Sequence, residues 1–185
     1  MIKEQQKKIE IGTVKKQDIL ENQAKIVFLG IGSNLGLRKI NIEKAKFLLA
    51  EHNLDILSVS SFYETPSWPD PTKPKFLNII LKLQCHYDPQ QLLKICKSIE
   101  AQLGRKKAKK NAPRICDLDI IDFNELVSKK NARINLPHRL MHKRNFVLFP
   151  LFEIQKNWIH PHKKIDVKTL ISLLPDRDIR SIIKI

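Results

Sequence analysis

The chain is short of glycine, of acidic residues and of aromatics: 5 Gly, 19 Asp plus Glu against 34 Lys plus Arg, and 6% Phe, Trp and Tyr in 185 residues. It holds no run of about 18 apolar residues, which excludes a membrane-spanning helix. The N-terminus lacks the apolar core of a secretory leader, so a cytoplasmic protein is expected. Its three cysteines, Cys85, Cys96 and Cys116, are odd in number and show no Cys-x-x-Cys spacing. They read as reduced, partly buried thiols rather than a disulfide framework, a zinc site or a nucleophile. No Gly-x-x-x-x-Gly-Lys-Ser/Thr run is present, so a polyphosphate would have to be held by side chains instead of a P-loop. Gly30-x-Gly32 lacks the third glycine of a dinucleotide fingerprint and reads as turn chemistry. The shortage of acids leaves a formal charge of +15, which invites a nucleic-acid reading. Two features oppose it. Lysine is abundant everywhere, and the densest basic cluster (Arg105, Lys106, Lys107, Lys109, Lys110 and Arg114) is local and has no aromatics among it on which bases could stack.

That cluster leads straight into Arg114-Ile115-Cys116-Asp117-Leu118-Asp119-Ile120-Ile121. Residues 115–121 are rich in β-branched side chains and read as a strand. Alternation then puts Asp117 and Asp119 on one face with Cα atoms about 6.5–7 Å apart. Two anions that close repel unless a cation lies between them. Mg²⁺ meets that need, since it is commonly held by one or two carboxylates together with substrate phosphates. Arg114 adds a guanidinium fork suited to phosphate oxygens. The ordinary alternative is a half-buried strand with two solvent-facing acids, and this segment alone leaves both open.

Elsewhere the pattern predicts one domain. Residues 1–24 are polar and rich in Lys, Glu and Gln, and read as a flexible extension with a possible short helix over 17–24; residues 25–185 form the folded unit. A strand over 25–31 should be followed by an amphipathic helix over 37–51 that buries Ile40, Ala45, Leu48 and Leu49. Residues 55–65 read as a strand, and Pro66, Pro69, Pro71 and Pro74 forbid regular structure beyond it. A long strand follows over 76–87. Asp88-Pro89 then opens a helix in the favoured N-cap and N1 order, running to Gln102 and stopped by Gly104. Residues 138–154 should be helical in two pieces divided at Pro150, and 167–174 a short helix capped by Asp166. The order strand–helix–strand, strand–helix–strand predicts a ferredoxin-like α+β fold, helices packed on an antiparallel sheet.

Arg114-x-x-Asp117-x-Asp119-Ile120 after Ala112-Pro113 resembles the signature of the 6-hydroxymethyl-7,8-dihydropterin pyrophosphokinases of folate biosynthesis. Phe28-Leu29-Gly30-Ile31-Gly32-Ser33-Asn34-Leu35-Gly36, Ser60-Ser61-Phe62-Tyr63-Glu64-Thr65-Pro66, Phe76-Leu77-Asn78, Ile99-Glu100, Leu103-Gly104-Arg105, Pro137-His138 and Arg144-Asn145-Phe146 follow in the family's order, over about residues 26–174. The resemblance implies a ferredoxin-like fold and the transfer of pyrophosphate from ATP to the pterin's hydroxymethyl oxygen, releasing AMP. It implies two Mg²⁺ ions on Asp117 and Asp119, with Arg105 and Arg114 completing the catalytic set. Glu100, Arg114, His138 and Arg144 match ATP-site positions, and Thr65, Pro66, Trp68, Phe76, Asn78 and Phe146 match the pterin pocket. A monomer is expected, with ATP and the pterin as partners and neither membrane nor nucleic acid. Asn111, Arg139 and Ser67-Trp68 depart from the pattern, which bears on loop closure and the contacts to adenosine. The other readings are a ferredoxin-like nucleic-acid module, a different two-metal nucleotidyltransferase and a non-catalytic relative.

Overall fold

A computed structural model describes residues 24–68, 70–105 and 112–185. The expected extension with its short helix, Lys106 to Lys110 of the basic cluster, and Asn111 therefore lie outside the described residues, residue 24 apart. Strand β1 (Lys25–Ser33) runs through the middle of an antiparallel sheet, between β4 (Phe76–Cys85) and β5 (Asp117–Phe123). On the far side of β4 lie β2 (Asp55–Val59) and β3 (Tyr63–Thr65), and the two-residue β6 (Ile183–Lys184) adds to β3. With helices α1 (Arg38–Glu51) and α2 (Pro89–Gln102) as the crossovers, this is the expected ferredoxin-like α+β layout. The chain continues through a 3₁₀ turn (Met141–Lys143), α3 (Asn145–Ile154), α4 (Val167–Ser172) and α5 (Asp176–Ser181).

The period-two alternation of the long strands builds two cores, one per face. Val27, Leu29, Ile31, Ile79, Leu81, Leu118 and Ile120 meet α1 and α2 on one side. Phe28, Ile80 and Ile121 meet α3 and α4 on the other, with Trp158 sealing the end. All three cysteines are free and fully buried in the first core. In β5 the register slips against β1 between Phe28 and Leu29. The extra residue shifts the alternation, so Phe123 returns to the first core with Leu118 and Ile120 while Ile121 packs in the second.

Several elements differ from the sequence expectation. In α1 the buried stripe is Ile42, Ala45 and Leu49, while Ile40 is 47% exposed. Two residues round a helix is about 200°, so Ile40 and Ile42 cannot both face the sheet. The single strand over 55–65 is two pieces. Leu57 bulges out of register, and at Ser60 the N–H donates to the Ile80 carbonyl while Oγ accepts the Ile80 N–H, which bends the edge. The region 138–154 divides at Arg144, not at Pro150: Arg144 is extended (φ −117°, ψ 108°), and α3 runs on through Pro150. The proline costs one helical hydrogen bond, tolerated in a helix that is apolar and packed along most of its length. The Asp88–Pro89 start is as expected, with a full capping box in which Asp88 accepts from Gln90 and Gln91 and the Gln91 side chain accepts from the Asp88 N–H. Gly104, at φ +91°, ends this helix region.

Candidate active site

Gly30 and Gly32 sit inside β1, not in a turn; the turn glycine is Gly36, at φ +63°. On β1, Gly32 pairs with Asn78 and Asp117, and Gly30 with Ile80 and Asp119. A Cβ at Gly32 would lie 2.9 Å from Asn78 Oδ1 and 3.4 Å from Phe76 Cδ1. The two bare backbone positions therefore leave a floor without side chains, and a cleft stands above it. Asp117 and Asp119 rise at one end, as their spacing predicts. At the other end are Phe76, Asn78, Thr65, Pro66, Trp68 and Phe146, with Arg114 and Arg144 also lining the cleft.

Each element places its side chain for a local reason. Asn78, buried on central β4, donates from Nδ2 to Thr65 Oγ1 at 3.2 Å across the β3–β4 pair. This leaves its carbonyl oxygen beside the floor glycine. The break at Arg144 turns that side chain into the cleft, where its guanidinium lies 5.5 Å from the ring centres of both Trp68 and Phe146. One of its terminal nitrogens is 3.4 Å from Asp119 and 3.5 Å from His138 Nε2. Arg144 Nε is buried and, among the described residues, has no hydrogen-bond partner.

Arg105 and Arg114 each take one oxygen of Asp117, Arg114 at 2.7 Å. Burial alone would raise the Asp117 carboxyl, but Arg114 and Arg105 outweigh it and hold it below the usual carboxylate range. Glu100 is not a solvated helix-surface acid. It is 2% exposed, accepts the Leu118 N–H at 2.9 Å between the two aspartates, and pairs with Lys97 at 2.9 Å and Arg105 at 2.5 Å. Burial pushes its pKa up, only partly offset by the Leu118 N–H and Lys97. His138 lies 4.0 Å from Asp119, and burial lowers its pKa.

Asn34 has no assigned part in the sequence reading, although it stands in Gly32-Ser33-Asn34. It is buried, donates to the Pro74 carbonyl at 3.0 Å and accepts the Arg114 N–H at 2.7 Å. It thereby ties the root of the proline-rich loop to the root of the basic loop. Lys97 was likewise missed, because its use depends on Glu100 being buried.

Asp117 and Asp119 offer only hard oxygen donors, and among the described residues no three or more His, Cys, Asp or Glu side chains come together as a metal cage. That donor set fits Mg²⁺ bound through carboxylates with phosphate and water filling the remaining positions, and does not fit zinc.

A ferredoxin-like sheet bearing a carboxylate pair and converging arginines beside an aromatic slot is the framework of a small phosphoryl-transfer enzyme. Residues 28–156 match the family model described as 7,8-dihydro-6-hydroxymethylpterin-pyrophosphokinase. The chain belongs to that family. It is 39% identical over 135 residues to the 2-amino-4-hydroxy-6-hydroxymethyldihydropteridine pyrophosphokinase of Aquifex aeolicus, covering 73% of this chain and 83% of that one. It is 33% identical to the folic acid synthesis protein fol1 of Schizosaccharomyces pombe over 84% of this chain but only 21% of that much longer protein. A crystal structure of a Plasmodium falciparum HPPK-DHPS triple mutant shares the fold, with TM-score 0.70 and 16% identity over 89% of this chain and 48% of that one.

Proposed function

We propose that this chain transfers the pyrophosphoryl group of ATP to 6-hydroxymethyl-7,8-dihydropterin, with the triphosphate at the Asp117–Asp119 end of the cleft and the pterin over the glycine floor. The observation that carries the reading is the joining of the two half-sites in one cleft: anion-binding arginines with a carboxylate pair at one end, stacking rings with a buried amide at the other. Phe76 and Phe146 supply faces for a flat heterocycle. Asn78, with Thr65 and the backbone of Pro66 and Trp68, reads its edge. Gly32 is bare so that the ring can reach Asn78. Arg144, with Nε unpaired, and Arg114 take phosphate oxygens, and His138 donates to the α-phosphate. Glu100 serves the nucleotide end by holding Arg105 and the β5 backbone in place.

In this reading the pterin hydroxymethyl oxygen attacks the β-phosphorus, the bond from that phosphorus to the α-phosphate oxygen breaks, and AMP leaves as the hydroxyl loses its proton. Two Mg²⁺ ions held by Asp117 and Asp119 would polarise the phosphoryl oxygens and lower the hydroxyl's pKa. The chain's own work is alignment and charge neutralisation. Arg105 and Arg114 neutralise Asp117 in this structure and are placed to move onto the phosphates when the carboxylate takes a cation instead. The test is incubation with ATP, Mg²⁺ and the pterin, followed by separation of adenine nucleotides. AMP is expected, and only when all three are present. ADP would overturn pyrophosphoryl transfer, and pyrophosphate release with AMP retained on the product would mark a nucleotidyltransferase.

A further inference from the structure

The family match ends at residue 156, yet the chain beyond it is tied to both walls of the proposed pterin slot. One tie reaches the start of α3. Asn145 is buried and donates from Nδ2 to the Asp178 carbonyl at 2.6 Å and to Ser181 Oγ at 3.1 Å. Its chain neighbours are Arg144 and Phe146, the residues that form one wall. The second tie reaches β3. Strand β6 pairs Lys184 with Tyr63 and Ile183 with Glu64, and the Ile185 N–H donates to the Phe62 carbonyl at 2.9 Å. Strand β3 is only three residues long and delivers Thr65, then Pro66 and Trp68, to the opposite wall. Glu153 knots the two ties together from the far end of α3. It accepts from Ser61 N at 3.0 Å, Ser61 Oγ at 2.7 Å, Tyr63 Oη at 3.0 Å and Lys184 Nζ at 2.8 Å.

We propose that residues 176–185 are a positioning strap for the pterin site, with Asn145, Glu153, Ser181 and Lys184 as its positioning residues. Thr65 pairs with Phe76 across the β3–β4 ladder, so the strap sets the separation between the two stacking faces, Phe76 and Phe146. A flat ring held between two walls is sensitive to that separation, since a gap of about 0.5–1 Å already forfeits a quarter to a half of the dispersion attraction. The nucleotide end hangs on β5, Glu100 and Asn34, which the strap does not touch, and on Arg144 beside the Asn145 tie, so loosening the β6–β3 tie alone changes pterin affinity and spares ATP. This rests on the pyrophosphokinase reading above.

The experiment uses full-length chain with Ile183→Pro, Lys184→Met and Lys184→Arg. By its register, Glu64–Ile183 is a hydrogen-bonded pair like Phe62–Ile185, so proline deletes a ladder bond, and Ile183 is exposed, so no core is lost. Calorimetric titration with Mg²⁺ and α,β-methylene ATP, then with the pterin in its presence, gives both affinities, and thermal melts report folding. Ile183→Pro is expected to weaken pterin binding about tenfold and Lys184→Met by a smaller factor. Lys184→Arg should restore it, and nucleotide affinity should stay within twofold throughout. Unchanged pterin affinity in folded Ile183→Pro and Lys184→Met chains overturns the strap, as does an equal loss for both ligands. Wild-type chain that binds nucleotide but no pterin overturns the pyrophosphokinase reading itself, a result distinct from wild-type binding with indifferent variants.

Discussion

At Asp117 the two carboxylate oxygens face two different guanidiniums, whereas among the described residues Asp119 meets only the longer contacts from Arg144 and His138. The two acids should therefore be alike in activity and unlike in stability. Replacing either by Asn is expected to lower kcat at least about a hundredfold, the scale of removing one electrostatic contact to developing charge. Only Asp117→Asn removes an anion shared by two arginines, leaving Arg114 without its carboxylate and Arg105 with Glu100 alone, so urea unfolding should show it about 1–2 kcal/mol less stable, between the ranges for exposed and buried pairs. Equal stabilities would mean that the arginines do not depend on Asp117. Gly32→Ala gives a complementary result. Its Cβ meets Asn78 Oδ1 at 2.9 Å, so the pterin Kd should rise about tenfold or more while nucleotide binding is kept, as paired titrations would show. The acids were legible in the sequence because a two-residue spacing in a strand has one geometric meaning. Gly32 was misread as a turn residue because its reason, a neighbour's oxygen across the sheet, is not local.

The elements divide in the same way. Helix α2 was legible end to end, since Asp88, Pro89, Gln91 and Gly104 signal within a few residues of the ends they mark. The break at Arg144 and the split at Ser60 were not, because proline was the visible punctuation and tertiary hydrogen bonds did the breaking. The segment α5–β6 carries almost no apolar period and was not expected at all. At the junction of α3, β3 and β6, burial would raise the Glu153 carboxyl, but Lys184, Ser61 and Tyr63 bring it down to about 2. A depressed carboxylate pKa stabilises the fold above its unfolded value, near 4.5, and that contribution is lost as pH falls toward 2. Wild-type chain should therefore melt above Glu153→Gln at neutral pH, with the difference in Tm shrinking from about pH 4.5 downward. A difference independent of pH would show that the carboxylate charge is not what binds this corner.

Over the whole molecule, the charge of +15 acts at a distance that pairwise contacts do not capture. A polyanionic nucleotide should feel it and an uncharged pterin should not. Raising salt from about 50 to 200 mM is expected to weaken nucleotide binding several-fold with pterin affinity nearly constant. Equal salt dependence for both ligands would remove the electrostatic account of the nucleotide end. The sheet edges also bear on assembly. Strand β2 is bulged at Leu57, and the β5 edge is partly covered by Glu100 and by the His138 N–H on the Ile121 carbonyl. Blunted edges resist strand addition, so light scattering should give the mass of one chain. Among the described residues no helix is long and apolar enough to cross a membrane.

The amino-acid sequence by itself determined the order of strands and helices from β1 to α4, apart from the split at Ser60, and the face shared by Asp117 and Asp119, because periodicity, capping and spacing act over a handful of neighbouring residues; the family was legible as a resemblance of several motifs in series. Only the tertiary structure decided that Glu100 is buried beneath the aspartates, that two bare glycines open the floor of the cleft, and that Arg144 turns into it. Each of these depends on residues far apart in the chain meeting across the sheet, and burial and hydrogen-bond partners at such distances are set by packing.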